Sequence, residues 1–172
     1  QGSTGDLMDG VRQALGPGGV VIKPAVSAGS YRTRSFQARQ DSAARSHLDS
    51  LLQTGDALCQ PFVSSVEGYG ERALICIEGE PTHAVRKSPR FEGDDESVSE
   101  AMPMTPAECD LARQALAAAP IDEPLLYARV DMAPGPDGAP MVMELELIEP
   151  SLFFPQCPAA LERYVAGLKR RL

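Results

Sequence analysis

Apolar positions along the chain fall into two rhythms. Short β-branched or apolar runs bounded by glycine and proline predict strands over residues 18–24, 56–63, 68–77, 82–87, 127–131 and 141–146. Pro61 interrupts the second run, and because proline cannot donate into a central ladder it marks a strand end or a hinge. Glu78-Gly79-Glu80 turns the third run back into the fourth, and Pro134-Gly-Pro-Asp-Gly138 connects the fifth to the sixth. A helical rhythm predicts helices over 5–15, 41–52, 105–119 and 159–172, the third opened by the capping box Thr105-Pro-Ala-Glu108. Helices and hairpins mixed in this order define an α+β chain. Residues 88–104, with Arg90, Glu92, Asp94, Asp95 and Glu96, lack periodicity and predict a mobile loop with a solvated acidic run.

The hairpin formed by Tyr127-Ala-Arg-Val-Asp131 and Met141-Val-Met-Glu-Leu-Glu146 gathers three carboxylates. Strand side chains alternate, so Glu144 and Glu146 point to one face and can share an ion. Asp131, expected to end the preceding strand, lies beside them across an antiparallel pair. All-oxygen ligands of this kind suit magnesium better than zinc or copper. Met141, Val142, Met143, Leu145, Leu147 and Ile148 make the last strand apolar almost throughout, which predicts burial on both faces. There, carboxylates are costly without a cation, and removing one acid is expected to leave the metal-free fold unharmed or stabilised by relief of repulsion. The bland alternative is a half-exposed hairpin with an acidic solvent face.

Gly18-Gly-Val-Val-Ile-Lys-Pro24 delivers Lys23 at a strand end, followed by the small residues Ala25-Val-Ser-Ala-Gly-Ser30. A loop of small residues lets backbone N–H groups approach phosphate, and lysine adds a compact charge. Taken alone, a lysine at a strand end is more often a solvated edge.

Taken together, these segments resemble an ATP-grasp domain from the start of the chain to about Ser151. The Val-Val-Ile-Lys-Pro strand, small-residue loop, Gln60-Pro-Phe segment, Gly70-Glu-Arg strand, Val85-Arg-Lys-Ser-Pro89 strand, Arg129-Val-Asp131 and Glu144-Leu-Glu146 follow that family's order. The phrase Met143-Glu-Leu-Glu-Leu-Ile-Glu-Pro-Ser-Leu152 is similar to the branch related to the glutathione synthetase ATP-binding fold. That branch includes small bacterial antibiotic-pathway ligases such as the cyclo-ligase of cycloserine formation. The resemblance implies two α+β lobes with antiparallel sheets that clamp Mg-ATP, a small lid lobe over 1–60 and a large lobe over 61–172. It implies phosphate binding by Lys23, Gly29 and Ser30, and backbone contact with adenine by Gln60, Pro61, Phe62 and Val63. Asp131, Glu144 and Glu146 would hold Mg2+, and Lys87 and Arg129 would serve the transferred phosphoryl group. The implied reaction forms an amide from small-molecule carboxylate and amine substrates, amino acids among them, through an acylphosphate. A non-catalytic ATP-binding module, or a phosphotransferase or carboxylase built on the same clamp, fits the same motifs.

Two departures from the family pattern alter these expectations. The familiar Glu-x-Asn is Glu144-Leu-Glu146 here, which adds a negative charge at the metal. Where many relatives have several glycines in the phosphate loop, Ala28-Gly29-Ser30 is followed here by the bulky Tyr31, Arg32 and Arg34, which predicts a stiffer loop or one that uses arginine for phosphate. A further phosphate-binding lysine and an N-terminal substrate domain are expected to lie outside this chain.

Composition narrows the setting. At 172 residues the chain can bury one core or a pair of linked lobes. Its net charge of -8 argues against nonspecific binding to nucleic acid or an anionic membrane. Cys59, Cys76, Cys109 and Cys157 are widely spaced and read as buried thiols of a cytoplasmic protein. His47 and His83 have no triad partners in view and read as structural. Lys169, Arg170 and Arg171 suit the negative end of the last helix. The family resemblance leaves a homo-oligomer open.

Overall fold

A computed structural model describes residues 4–27, 30–88 and 97–172. The chain divides after Val63 into two compact units.

In the first unit, α1 (Thr4–Leu15), β1 (Val20–Pro24), β2 (Arg34–Phe36), α2 (Asp41–Leu52) and β3 (Ala57–Pro61) follow in order. The three strands are antiparallel in the order β2-β1-β3. β1 is central because its β-branched residues are the ones that fill the core: Val20 and Ile22 are fully buried against Met8 of α1 and Ala44, Leu48 and Leu51 of α2. The spacing of those α2 residues, four, then three, apart along the helix, is that of one buried stripe. Pro61 is the last residue of β3, an edge strand, where a missing donor costs nothing.

The second unit contains α3 (Ser65–Tyr69), β4 (Glu71–Ile77), β5 (Glu80–Lys87), α4 (Pro106–Ala118), β6 (Tyr127–Pro134), β7 (Pro140–Glu146), a 3-10 turn (Phe154–Gln156) and α5 (Pro158–Lys169). Its sheet runs β5-β4-β6-β7, antiparallel throughout. Leu74, Cys76, Val130 and Met132 face α4, whereas Ala73, Ile75, Ile77 and Val85 face Leu152, Phe153, Phe154 and Tyr164. Helix α4 starts on the expected capping box: the Thr105 hydroxyl accepts from Glu108 N at 3.2 Å and Glu108 Oε2 accepts from Thr105 N at 2.7 Å. Arg170 and Arg171 donate to Glu78 at 2.6 and 3.0 Å, so these basic residues tie the end of α5 to the β4–β5 turn as well as meeting its dipole.

Three expectations are corrected here. The run predicted from Gly68 begins as the turn of helix α3, and β4 starts only at Glu71. Between them Gly70 has φ of 80° and lies so close to the Lys87 carbonyl that any Cβ would strike it. Asp131 does not end its strand: β6 continues to Pro134, leaving Asp131 in the middle and fully buried. Nor is β7 buried on both faces. As the edge strand it leaves Val142 and Glu144 exposed, and only positions such as Leu145 pack against the α4 side. Residues 89–96, which hold the acidic run of the predicted loop, lie outside the described residues, as does Gly29, whereas Val98 and Met102 of the same predicted loop bridge to Lys87 and Ala84 of β5.

Candidate functional site

Two strand registers and one bulge assemble a charged cluster on the sheet face opposite α4. Across β6 and β7, Asp131 is opposite Glu144 and Arg129 is opposite Glu146. A register shift falls between Asp131 and Met132, with Met143 as the extra residue on β7. Because of it Val142 shares the position of Met132 while Glu144 shares that of Asp131, so two residues of equal parity serve opposite faces. Glu144 and Glu146 both lie beyond the bulge and keep the common face expected of them. Across β4, Lys87 lies opposite Glu71.

Carboxylate oxygens of Asp131, Glu144 and Glu146 approach within 4.8 Å of one another. Two cations hold the acids together. Arg129 donates from Nε to Asp131 Oδ1 at 2.8 Å and from Nη2 to Asp131 Oδ2 at 2.9 Å, and Nη2 also donates to Glu146 Oε1. Lys87 Nζ donates to Asp131 Oδ2 and lies 3.2 Å from Glu71 Oε2. Burial alone would lower the Lys87 pKa, but the charges of Asp131 and Glu71 and the bond to Asp131 carry it above its ordinary value. For Arg129, burial is likewise outweighed by its bonds to Asp131 and the neighbouring glutamates, and the pKa rises. Burial, seconded by the charges of Asp131 and Glu144, raises Glu146 against the pull of Arg129. Asp131 is the counter-ion of two buried cations, which argues against the expectation that its removal would spare the metal-free fold.

Magnesium would fit this donor set. A carboxylate offers about four lone-pair positions, and Asp131 uses three of them on Arg129 and Lys87, leaving one for a metal. Adjacent ligands of an octahedral magnesium stand about 3 Å apart, so acids whose oxygens lie within 4.8 Å of one another would have to draw together to hold it. Glu144 is exposed and able to swing.

In the first unit Lys23 is half-buried near the end of β1, beside Leu58 of β3. Ser30 is exposed with φ of 59°, and its carbonyl accepts from Thr33 N at 3.0 Å in a tight turn. Gln60 and Pro61 lie opposite Val21 and Val20, and Phe62 N donates to Gly19 O at 2.9 Å. Phe62 N is thus spent within the unit, and the Phe62 carbonyl is its backbone group left for an adenine. Arg32 turns back to Ser50 Oγ, 2.8 Å from Nη2, so it braces the loop rather than reaching outward.

Glu71 and Phe153 are missing from the residues singled out in the sequence. Counting back from the Glu78-Gly79 turn brings Glu71 opposite Arg86; the register shift between Ile75 and Cys76, which the sequence does not mark, moves it to Lys87. Phe153, whose ring lies 5.8 Å from the Arg129 guanidinium, carries no local signal.

A four-stranded antiparallel sheet bearing three acids, in a chain whose other unit is a three-stranded sheet centred on the Lys-Pro strand, defines the class: the chain has the ATP-grasp fold of the ATP-grasp superfamily. It is similar to the cycloserine biosynthesis protein DcsG of Streptomyces lavendulae, at 32% identity over 88% of this chain and 54% of the relative. The crystal structure of D-cycloserine synthetase DcsG superposes on 98% of this chain and 60% of that one, with a TM-score of 0.85 and 30% identity. D-alanine–D-alanine ligase from Bacillus anthracis, complexed with ATP, shares the fold at TM-score 0.64 and 17% identity, over 99% of this chain and 58% of that one. So does the ATP-grasp ligase PsnB complexed with Mg, ADP and a variant of its minimal precursor, at TM-score 0.61 and 19% identity, over 95% and 50%. The chain thus spans a little over half the length of the curated relative it matches, 54%. No protein-family model matches the sequence.

Proposed function

We propose that the chain is the nucleotide- and metal-binding part of an ATP-dependent ligase that joins a carboxylate to an amine or a related nucleophile. The observation that carries this reading is the cluster itself: three acids with Lys87 and Arg129 among them on one sheet face. A cluster with cations on both sides of its acids can neutralise a metal and phosphate oxygens together. Kinship with a D-cycloserine synthetase supports an amino-acid-derived carboxylate as the substrate class.

In this reading Glu144, Glu146 and the remaining lone pair of Asp131 hold magnesium. When bound, the metal would offset the charge of the phosphate oxygens. Lys23 and the backbone of Gly29 and Ser30 meet nucleotide phosphates, and Gln60, Pro61, Phe62 and Val63 supply backbone contacts to the base. A substrate carboxylate oxygen attacks the terminal phosphorus, ADP leaves, and an acylphosphate forms. The amine then attacks the acyl carbon, phosphate departs, and an amide results. Lys87 and Arg129 stabilise the oxygens that carry charge in both steps. No side-chain nucleophile is needed; the protein positions and neutralises. The four free thiols suit a cytoplasmic setting.

Calorimetry with ATP, with and without magnesium, tests the binding half, and amino-acid-dependent formation of ADP tests the ligase half. Magnesium-dependent ATP binding is expected. Binding indifferent to magnesium, or none, would overturn the reading.

A further inference from the structure

Behind Arg129 stands the loop that follows β7. Of the five guanidinium N–H groups, Nε and Nη2 are engaged by Asp131 and Glu146. Among the described residues Nη1 meets only the Ser151 carbonyl, at a long 3.5 Å. Nη1 is therefore the edge left to address a substrate oxygen. The Cζ of the same guanidinium lies over the Phe153 ring, 5.8 Å from its centroid. Ser151 and Phe153 thus both meet Arg129 from a single loop.

That loop is held in a conformation that side chains resist. Glu149 and Phe153 have φ of 48° and 47°, in the left-handed region. Two anchors over-determine it. Leu152, Phe153 and Phe154 pack on Ile75, Ile77 and Val85, and His83, 4% exposed, meets the Phe153 carbonyl through Nε2 at 3.2 Å. A carbonyl can only accept, so Nε2 carries the proton. Nδ1 of the same ring lies 3.1 Å from the Thr82 hydroxyl, which fixes the imidazole in turn.

We propose that Phe153, seated by His83, is a positioning residue for Arg129: its ring keeps the guanidinium in one plane with Nη1 directed at the transferred phosphoryl group. The proposal rests on the ligase reading above, and it supplies what that reading requires. When a metal draws Glu146 and Asp131 toward itself, Arg129 loses part of its acid clamp. The aromatic face, which no metal competes for, then maintains its pose.

The test is the affinity of the full chain for a non-hydrolysable ATP analogue and for ADP, by calorimetry in excess magnesium. Phe153→Leu keeps an apolar side chain without a π face. It is expected to weaken the ATP analogue by about threefold to tenfold, the range of one cation–π contact, and to leave ADP within about twofold. Phe153→Trp should keep the ratio of the two affinities. His83→Leu should lower that ratio, and His83→Gln, whose amide can still donate to the Phe153 carbonyl, should preserve it. Equal loss of both nucleotides in Phe153→Leu would mark Phe153 as packing alone and overturn the proposal. Where the leucine variant is too unstable to measure, Phe153→Met removes the π face with a more adaptable side chain. Arg129→Lys separates the two levels. A ratio that falls for Arg129→Lys but not for Phe153→Leu defeats the proposal and leaves the ligase reading intact, whereas a ratio unmoved by Arg129→Lys defeats the role of Arg129 in both.

Discussion

Lys87 reaches across a strand to Asp131. β4 separates β5 from β6, and the Lys87 side chain passes over it to donate to a carboxylate that is wholly shielded from water. Arg129 grips the same carboxylate from the neighbouring position on that face of β6. Asp131 thereby has two roles, counter-ion to the cations and candidate ligand to the metal, while Glu144 has only the second.

That division predicts different outcomes for two isosteric substitutions. Asp131→Asn leaves two buried cations short of an anion and should cost about 3–5 kcal/mol of stability in metal-free buffer, as expected for a broken buried pair. Glu144→Gln, exposed at the sheet edge, should change stability by less than about 0.5 kcal/mol. Both should abolish the magnesium dependence of nucleotide binding. Urea unfolding in chelator, beside calorimetry with magnesium, checks the pair; equal stability losses would show that the acids share one role.

Much of this arrangement was legible before any coordinates. The i, i+2 spacing of Glu144 and Glu146 implied a common face because strands alternate, and Thr105 with Glu108 announced a helix start because the two caps are local. The bulge at Met143 was not legible, since nothing in Met-Val-Met-Glu marks where a ladder slips. The expected two-sided burial of β7 failed for a related reason: an apolar run states that a strand can be buried, and only the strand order reveals that β7 is an edge. The ion pair between Lys87 and Asp131, 44 residues apart, depends on the pairing of three strands, which local periodicity does not contain.

Lys23 lies on the first unit at the end of β1, where its charge has been assigned to phosphate rather than to base. Lys23→Ala should therefore weaken ATP by about 1.5–3 kcal/mol, the worth of a hydrogen bond to a charged group, and leave adenosine nearly unchanged. Competition binding with the two ligands checks this. Equal losses would contradict the assignment.

His83 gives stability a pH dependence of definite sign. Burial lowers its pKa below the ordinary value of 6.5, against the opposing pull of its bonds to the Phe153 and Leu152 carbonyls. The unfolded chain therefore binds this proton more readily than the folded one, and stability rises with pH across the interval between the two pKa values. The contribution is complete above the unfolded pKa and is lost as pH falls below 6.5 toward the lowered folded value. Unfolding free energies of the unmodified chain and of His83→Gln, compared at pH 7.5 and 5.5, should differ in slope, with the unmodified chain losing more. Parallel slopes would mean that the imidazole titrates alike in both states.

Magnesium and nucleotide should bind with strong mutual dependence, and the reason lies in the counter-ions. With no metal bound, Lys87 and Arg129 already neutralise much of the acid charge, so magnesium taking the remaining lone pairs alone would weaken their N–H bonds to Asp131 and Glu146 without giving the two cations any new anion. Weaker pairing of buried cations is costly, which makes binding of the metal alone unfavourable. Nucleotide phosphates change the balance: the ion takes the carboxylates, and Lys87 and Arg129 turn to the phosphate oxygens. By linkage, whatever factor ATP adds to magnesium affinity, magnesium adds to ATP affinity. A coupling of at least about 1.4 kcal/mol, or tenfold, is expected between the two. Titrating magnesium into the chain with and without ADP, and ADP with and without magnesium, closes the cycle, after correcting for the complex that the two ligands form in solution. In Lys87→Met the acids have lost one internal counter-ion, so magnesium alone should bind more tightly and the coupling should shrink. Unchanged coupling in that variant would show that Lys87 does not compete with the metal for the acids.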